Sequence, residues 1–260
     1  MENLSVKSIR TAAGPLAMLV AVVAALSNTY AHAQTGVKAD SSKKPDSGKF
    51  AFTIQGQKVG TCVFKFDAAG ASEGNVEVSL GGQDKKYVVK TSSMAGKLTG
   101  FSAEENSNNR FIASIVGTVA KVSINGGAAA SQTIPMGLQP FGNFCPYLMT
   151  YTVAAYDSKK GGDQTFNMGL VEGLPNGQIA TLKMKVAAKG AREIKVDTKT
   201  ATVKTYSLAI DANGATIAIS LFADADGHVL GWDVPAQSFT AVRVGYETVI
   251  ATLEGPAKLN

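Results

Sequence analysis

The sequence predicts a mainly β fold: a single antiparallel, strongly curved sheet, built as an open or half barrel or a sandwich, with one short helix near 144–156. Three observations predict it. Apolar and polar residues alternate with period two in run after run, the mark of strands with one buried and one wet face. Clusters of Gly, Asn, Asp and Pro separate those runs at hairpin spacing. One segment, NFCPYLMTYTVAAYD (143–157), breaks the alternation and repeats its apolar residues at helical spacing.

The strands follow in order. KFAFTIQGQKVGTCVFKFDA (49–68) places Phe50, Phe52 and Ile54 on one face of a first run and Cys62, Phe64 and Phe66 on one face of a second, with GQKVG as the turn. VEVSL (76–80) and KYVVKTS (86–92) flank a GGQD turn. KLTGFSAEE (97–105), RFIASIVGTVAKVSING (110–126) and ASQTIPM (130–136) follow, jointed by NSNN and NGG. The later half repeats the pattern: Leu182, Met184 and Val186; Tyr206, Leu208 and Ile210; Ile217, Ile219 and Leu221; then DADG turning into HVLGWDV (228–234).

In the exceptional segment Asn143 is suited to cap a helix and Pro146 to occupy its first turn. Tyr147, Leu148, Tyr151, Ala154 and Ala155 then form a stripe, and DSKKGG ends it. Such a helix would close the open side of a curved sheet.

The N-terminus reads as an export signal. Lys7 and Arg10 precede the apolar run TAAGPLAMLVAVVAAL, and AHA at 31–33 supplies small residues for cleavage after Ala33. Residues 1–33 are therefore expected to be a signal peptide, 34–48 a polar flexible leader, 49–250 one β-rich domain and 251–260 a tail. No span is expected after cleavage, and the location is periplasmic or secreted. The chain carries a formal +5 with lysines scattered among acids. Nucleic-acid binders cluster their basic residues, so that partner is not expected. Cys62 and Cys145 form an even pair, which in an exported protein suggests a disulfide closing about 84 residues, worth roughly 4 kcal/mol. The alternative is two small buried thiols.

Catalytic chemistry finds little support. After signal removal His228 is the only histidine. It would serve as a base beside Asp224 or Asp226, or simply enter a strand after a turn. No G-x-S-x-G elbow and no phosphate- or dinucleotide-binding glycine motif occurs. A zinc site lacks ligands. Glu104, Glu105, Glu172 and Glu193 would matter only if the fold paired them. No catalytic residue, metal or cofactor is expected. Phe141, Phe144, Tyr147, Met149, Tyr151 and Trp232 are the candidates to line an apolar cavity, or else to fill the core.

With FTIQGQKVGTCVFKF at the start and the run 214–247 at the end, the chain resembles uncharacterised bacterial periplasmic β-domains, and β modules that precede secreted α/β-hydrolases. The resemblance implies a half barrel gripping one helix, as in periplasmic lipoprotein carriers, and carries over no catalytic residue. Two functions are expected from this. One is an exported binding or carrier protein holding an apolar small molecule or lipid between sheet and helix. The other is an envelope accessory module with a solid core, whose partner is another envelope protein.

Overall fold

The structure, a computed structural model, describes residues 45–94, 97–172, 177–196, 199–212 and 215–248. The expected signal peptide, residues 34–44 of the expected leader and the tail at 251–260 lie outside the described residues.

Fifteen strands occur among the described residues: β1 (Asp46–Ile54), β2 (Gln57–Phe66), β3 (Ser72–Leu80), β4 (Gln83–Met94), β5 (Lys97–Glu105), β6 (Asn109–Val116), β7 (Val119–Ile124), β8 (Ala130–Thr133), β9 (Gln139–Phe141), β10 (Gln164–Leu170), β11 (Thr181–Val196), β12 (Lys199–Ala212), β13 (Ala215–Ala223), β14 (Val229–Val234) and β15 (Phe239–Arg243). They make one sheet in the order β8-β7-β6-β5-β4-β3-β2-β1-β15-β14-β13-β12-β11-β10-β9. The first and last strands therefore pair at its middle, and each half of the chain meanders outward from there. Every pairing is antiparallel except β9 with β10, which run parallel. The expected single antiparallel sheet is thus a mixed one. A parallel pair needs a crossover, and this crossover carries the helix.

The alternation read from the sequence sets the two faces. Phe50, Phe52, Cys62, Phe64, Phe66, Val76 and Val78 all point to the concave side and are buried. Register shifts at Phe52/Thr53, Ser92/Ser93, Ala188/Gly190 and Phe222/Ala223 bend the strands around that core. Beyond the Phe222/Ala223 shift, Phe222 and Leu230 join a smaller cluster with Ile194 and Val203. β1 begins at Asp46, inside the stretch expected to be leader. Arg243 explains the recruitment: its guanidinium donates to both Asp46 carboxylate oxygens at 3.0 and 2.7 Å and lies over the Phe64 ring at 5.4 Å.

The sheet does not close through backbone pairing between β8 and β9. A side chain laces the seam instead. Gln132 on β8 donates its Nε2 to the Ile179 carbonyl at 2.9 Å, and its Oε1 accepts the Ile179 N–H at 2.8 Å. One amide side chain thus stands in for a peptide unit of the ladder.

The helix forms where expected, as a 3-10 turn (Pro146–Leu148) continuing into α1 (Met149–Ala155). Its surroundings differ from the expected single stripe. Met149, Thr150, Tyr151, Thr152 and Val153 are all buried, because the sheet curls around the helix on several sides. Seven residues make too short a helix to persist alone, so packing holds it. It enters from the end of the sheet where β10 finishes and runs back to the end where β10 begins.

Candidate functional site

The structure gathers the five aromatic candidates and Met149 into the space between helix and sheet. Phe141, Phe144, Tyr147, Met149, Tyr151 and Trp232 are all buried. They touch one another through the sheet's own rings. Tyr147 stacks on Phe64 at 5.2 Å and meets Phe66 edge-on at 5.7 Å, and Phe66 also contacts Tyr151 at 5.5 Å. On the other side Phe144 lies 5.8 Å from Phe52 and 6.1 Å from Phe239, and Trp232 lies 6.0 Å from Phe141. The floor beneath Tyr147 is Gly74, where a Cβ would stand 2.5 Å from the tyrosine ring. Only glycine lets the helix approach the sheet this closely.

Buried polar tips in this layer find partners where the strands offer them. Tyr151 donates to the Gly70 carbonyl and shares a 2.7 Å contact with Thr91, which meets Ser72 at 2.7 Å. Trp232 is the exception: its indole N–H is buried with no acceptor among the described residues.

The two cysteines also come together. Cys62 on β2 and Cys145 before the helix are both buried, and their side chains are within hydrogen-bonding reach of each other. They are free thiols, so the expected disulfide is not formed in this structure and the alternative of two small buried thiols describes it. Burial, with Cys62 and Glu172 alongside, pushes the Cys145 thiol well above its ordinary value, so it is no nucleophile.

Glu172 is the residue that sequence reasoning did not place. It follows β10, and its carboxylate turns inward to accept N–H groups from Asn143 at 2.6 Å and Phe144 at 2.8 Å. It caps the loop into the helix, the role expected of Asn143, which makes no such cap. Desolvation raises its pKa to about 7, outweighing the Phe144, Cys145 and Asn143 hydrogen bonds that favour the ion. A Cβ at Gly142 would stand 3.0 Å from both Cys145 and Glu172, so glycine is what lets these groups crowd together. Tyr87 feels Glu172 and Glu105 at the same mouth of the sheet, and burial is the main reason its phenol is held above its ordinary value. Lys85 closes this polar group, 3.1 Å from Glu105. The arrangement can hold and release a proton near neutrality.

His228 sits at the opposite mouth, on the turn before β14. Its Nδ1 lies 3.2 Å from Asp224 Oδ2, and its N–H donates to Asp224 Oδ1 at 2.8 Å. Burial would raise the Asp224 carboxyl, but the His228 bonds win and hold it below the usual range. The other glutamates are dispersed: Glu104 faces Arg110 across β5 and β6, and Glu193 lies on β11. No group of three His, Cys, Asp or Glu suited to a metal occurs among the described residues.

No family model and no curated protein matches the chain. Two solved structures resemble it to different degrees. One is a β-barrel-like protein, a domain of unknown function (DUF1849) from Brucella abortus, with a TM-score of 0.55 at 12% identity, covering 78% of this chain and 95% of the other. Another is a protein of YmcC-like fold from Bacteroides fragilis, at 10% identity and a TM-score of 0.30, covering 77% and 94%. The first likeness places the chain among curled, barrel-like β proteins. No described helix is long and apolar enough to cross a membrane.

Proposed function

We propose that this is an exported, non-catalytic module of the cell envelope that acts through its outer surface and not through an enclosed ligand. The N-terminal charge, apolar run and AHA pattern support export. The observation that carries the rest is the closeness of helix and sheet. Tyr147 lies stacked on Phe64 and directly over Gly74, which leaves no room for a ligand between that ring and the sheet and supports a packed interior. One observation favours the carrier reading: a ligand oxygen beside Trp232 would satisfy its buried N–H. Native mass spectrometry of the mature protein, with organic extraction of the same preparation, separates the two. The surface-acting reading expects the bare polypeptide mass and an empty extract. A stoichiometric lipid or other small molecule would overturn it.

A further inference from the structure

We infer that one end of the sheet is a contact surface for an anionic lipid bilayer, an assignment that rests on the surface-acting reading and names its partner. Among the described residues eight large apolar side chains are exposed, and four of them gather at one end. Met94, 72% exposed, ends β4, which pairs with β5. β5 in turn pairs with β6, Gly100 opposite Ser114, so the end of β6 lies beside the start of β5. There Val116 (78% exposed) faces Val119 (43%) across the turn at Gly117 and Thr118. The Ile134 N–H donates to the Thr118 carbonyl at 2.9 Å, which brings the next turn, with Met136 (65% exposed), to the same end.

Three features fit these tips to a bilayer. They sit at strand ends and turns, so they suit a soft plane more than a shaped partner. Ile112, 43% exposed, continues the apolar strip along the outer wall of β6. The strands that carry them hold few acids: the sequence has none from 85 to 103 or from 106 to 156, the spans that form most of β4 and β5 and all of β6 to β9, and Glu73 at the start of β3 is engaged by Lys65 at 3.3 Å and Lys90 at 3.6 Å. Lys121 is exposed on β7, opposite Ser114 and Ser131. The acid on the neighbouring β2–β3 turn, Asp67, is engaged in its own loop, accepting the Ala69 and Ala71 N–H groups at 2.9 Å. Apolar tips beside an exposed lysine, with the nearby carboxylates of Asp67 and Glu73 already engaged, suit an interfacial anchor on anionic lipid.

The test is co-sedimentation of the mature protein with vesicles of phosphatidylglycerol and phosphatidylethanolamine, and with phosphatidylcholine vesicles, at low and physiological salt. Binding to the anionic vesicles alone is expected. The triple variant Met94→Ser, Val116→Ser, Met136→Ser should lower partitioning by about a hundredfold, and Lys121→Gln by about fivefold. All four side chains are exposed, and far-UV circular dichroism checks that each variant stays folded. Absent binding, or binding unmoved by the triple variant, overturns the inference. So does equal binding to phosphatidylcholine. A dimer in sedimentation velocity that the triple variant dissolves overturns it in favour of a second copy of the chain. None of these results touches the surface-acting reading, which stands or falls on the native mass.

Discussion

Glu172 shows how one side chain couples the mouth of the sheet to the helix. Cys145, Cys62, Tyr147 and Tyr87 surround it, with the Lys85–Glu105 pair beyond, and none of these gives it a cation of its own. Burial therefore decides, and its pKa rises from the usual 4.5 to about 7 in the folded state. A raised folded value means that the fold prefers the acid form. The stabilisation is complete below about pH 4.5 and is lost as pH rises through about 7. The shift corresponds to at most about 3 kcal/mol, less whatever solvent reaches the group. Urea unfolding should thus give a lower midpoint at pH 8 than at pH 5. Glu172→Gln cannot ionise and still offers an acceptor to the loop, so its midpoints should differ little between the two. A variant with the full wild-type slope would place the titration elsewhere. Asp224, held low by His228, acts in a more acid window and leaves this one undisturbed.

At the scale of the element, α1 is held by what surrounds it. The Tyr147 ring above Gly74 is the tightest fit, so Gly74→Ala should cost about 1–3 kcal/mol through overpacking. In a Tyr147→Ala background, where the ring is gone, the same substitution should cost much less. A double-mutant cycle in urea measures that coupling. Equal costs in both backgrounds would mean that the helix yields freely. This contact also marks the limit of what the sequence reveals. The strands were legible because burial alternates along them: Phe50, Phe52, Cys62, Phe64 and Phe66 are written in period two. The helix was legible from Pro146 and from the spacing of Tyr147 and Tyr151. Its cap was not, because the carboxylate that receives the Asn143 and Phe144 N–H groups comes from Glu172, across the crossover, where no local pattern points. The candidates near the helix were identified as a group, but the closeness of Tyr147 to Gly74, which supports a filled core, was not legible in the sequence. Nor could the sequence show that Met94, Val116 and Met136, separated along the chain, share one end.

In the whole molecule the middle of the sheet and its seam are held by different means. β1 and β15 join residues almost two hundred apart in sequence, with the Arg243–Asp46 pair across them. Such long-range pairing is slow to form, but once made it lies within a continuous ladder flanked by β2 and β14. Among the described residues the seam is bridged by one bidentate side chain, Gln132, with the short β8 behind it. Local opening begins where few hydrogen bonds hold an edge, so amide exchange at Ile179 should be faster than at Phe52 or Ala241. Gln132→Ala removes the acceptor of the Ile179 N–H, worth about 1 kcal/mol, and should speed exchange there by about five- to tenfold. Phe52 and Ala241 should keep their wild-type rates. If their rates rise together with Ile179, the sheet opens as one cooperative unit and the seam is not its weak edge. If Ile179 alone responds, the halves wound out from β1 and β15 can part at the seam while the core around α1 stays closed.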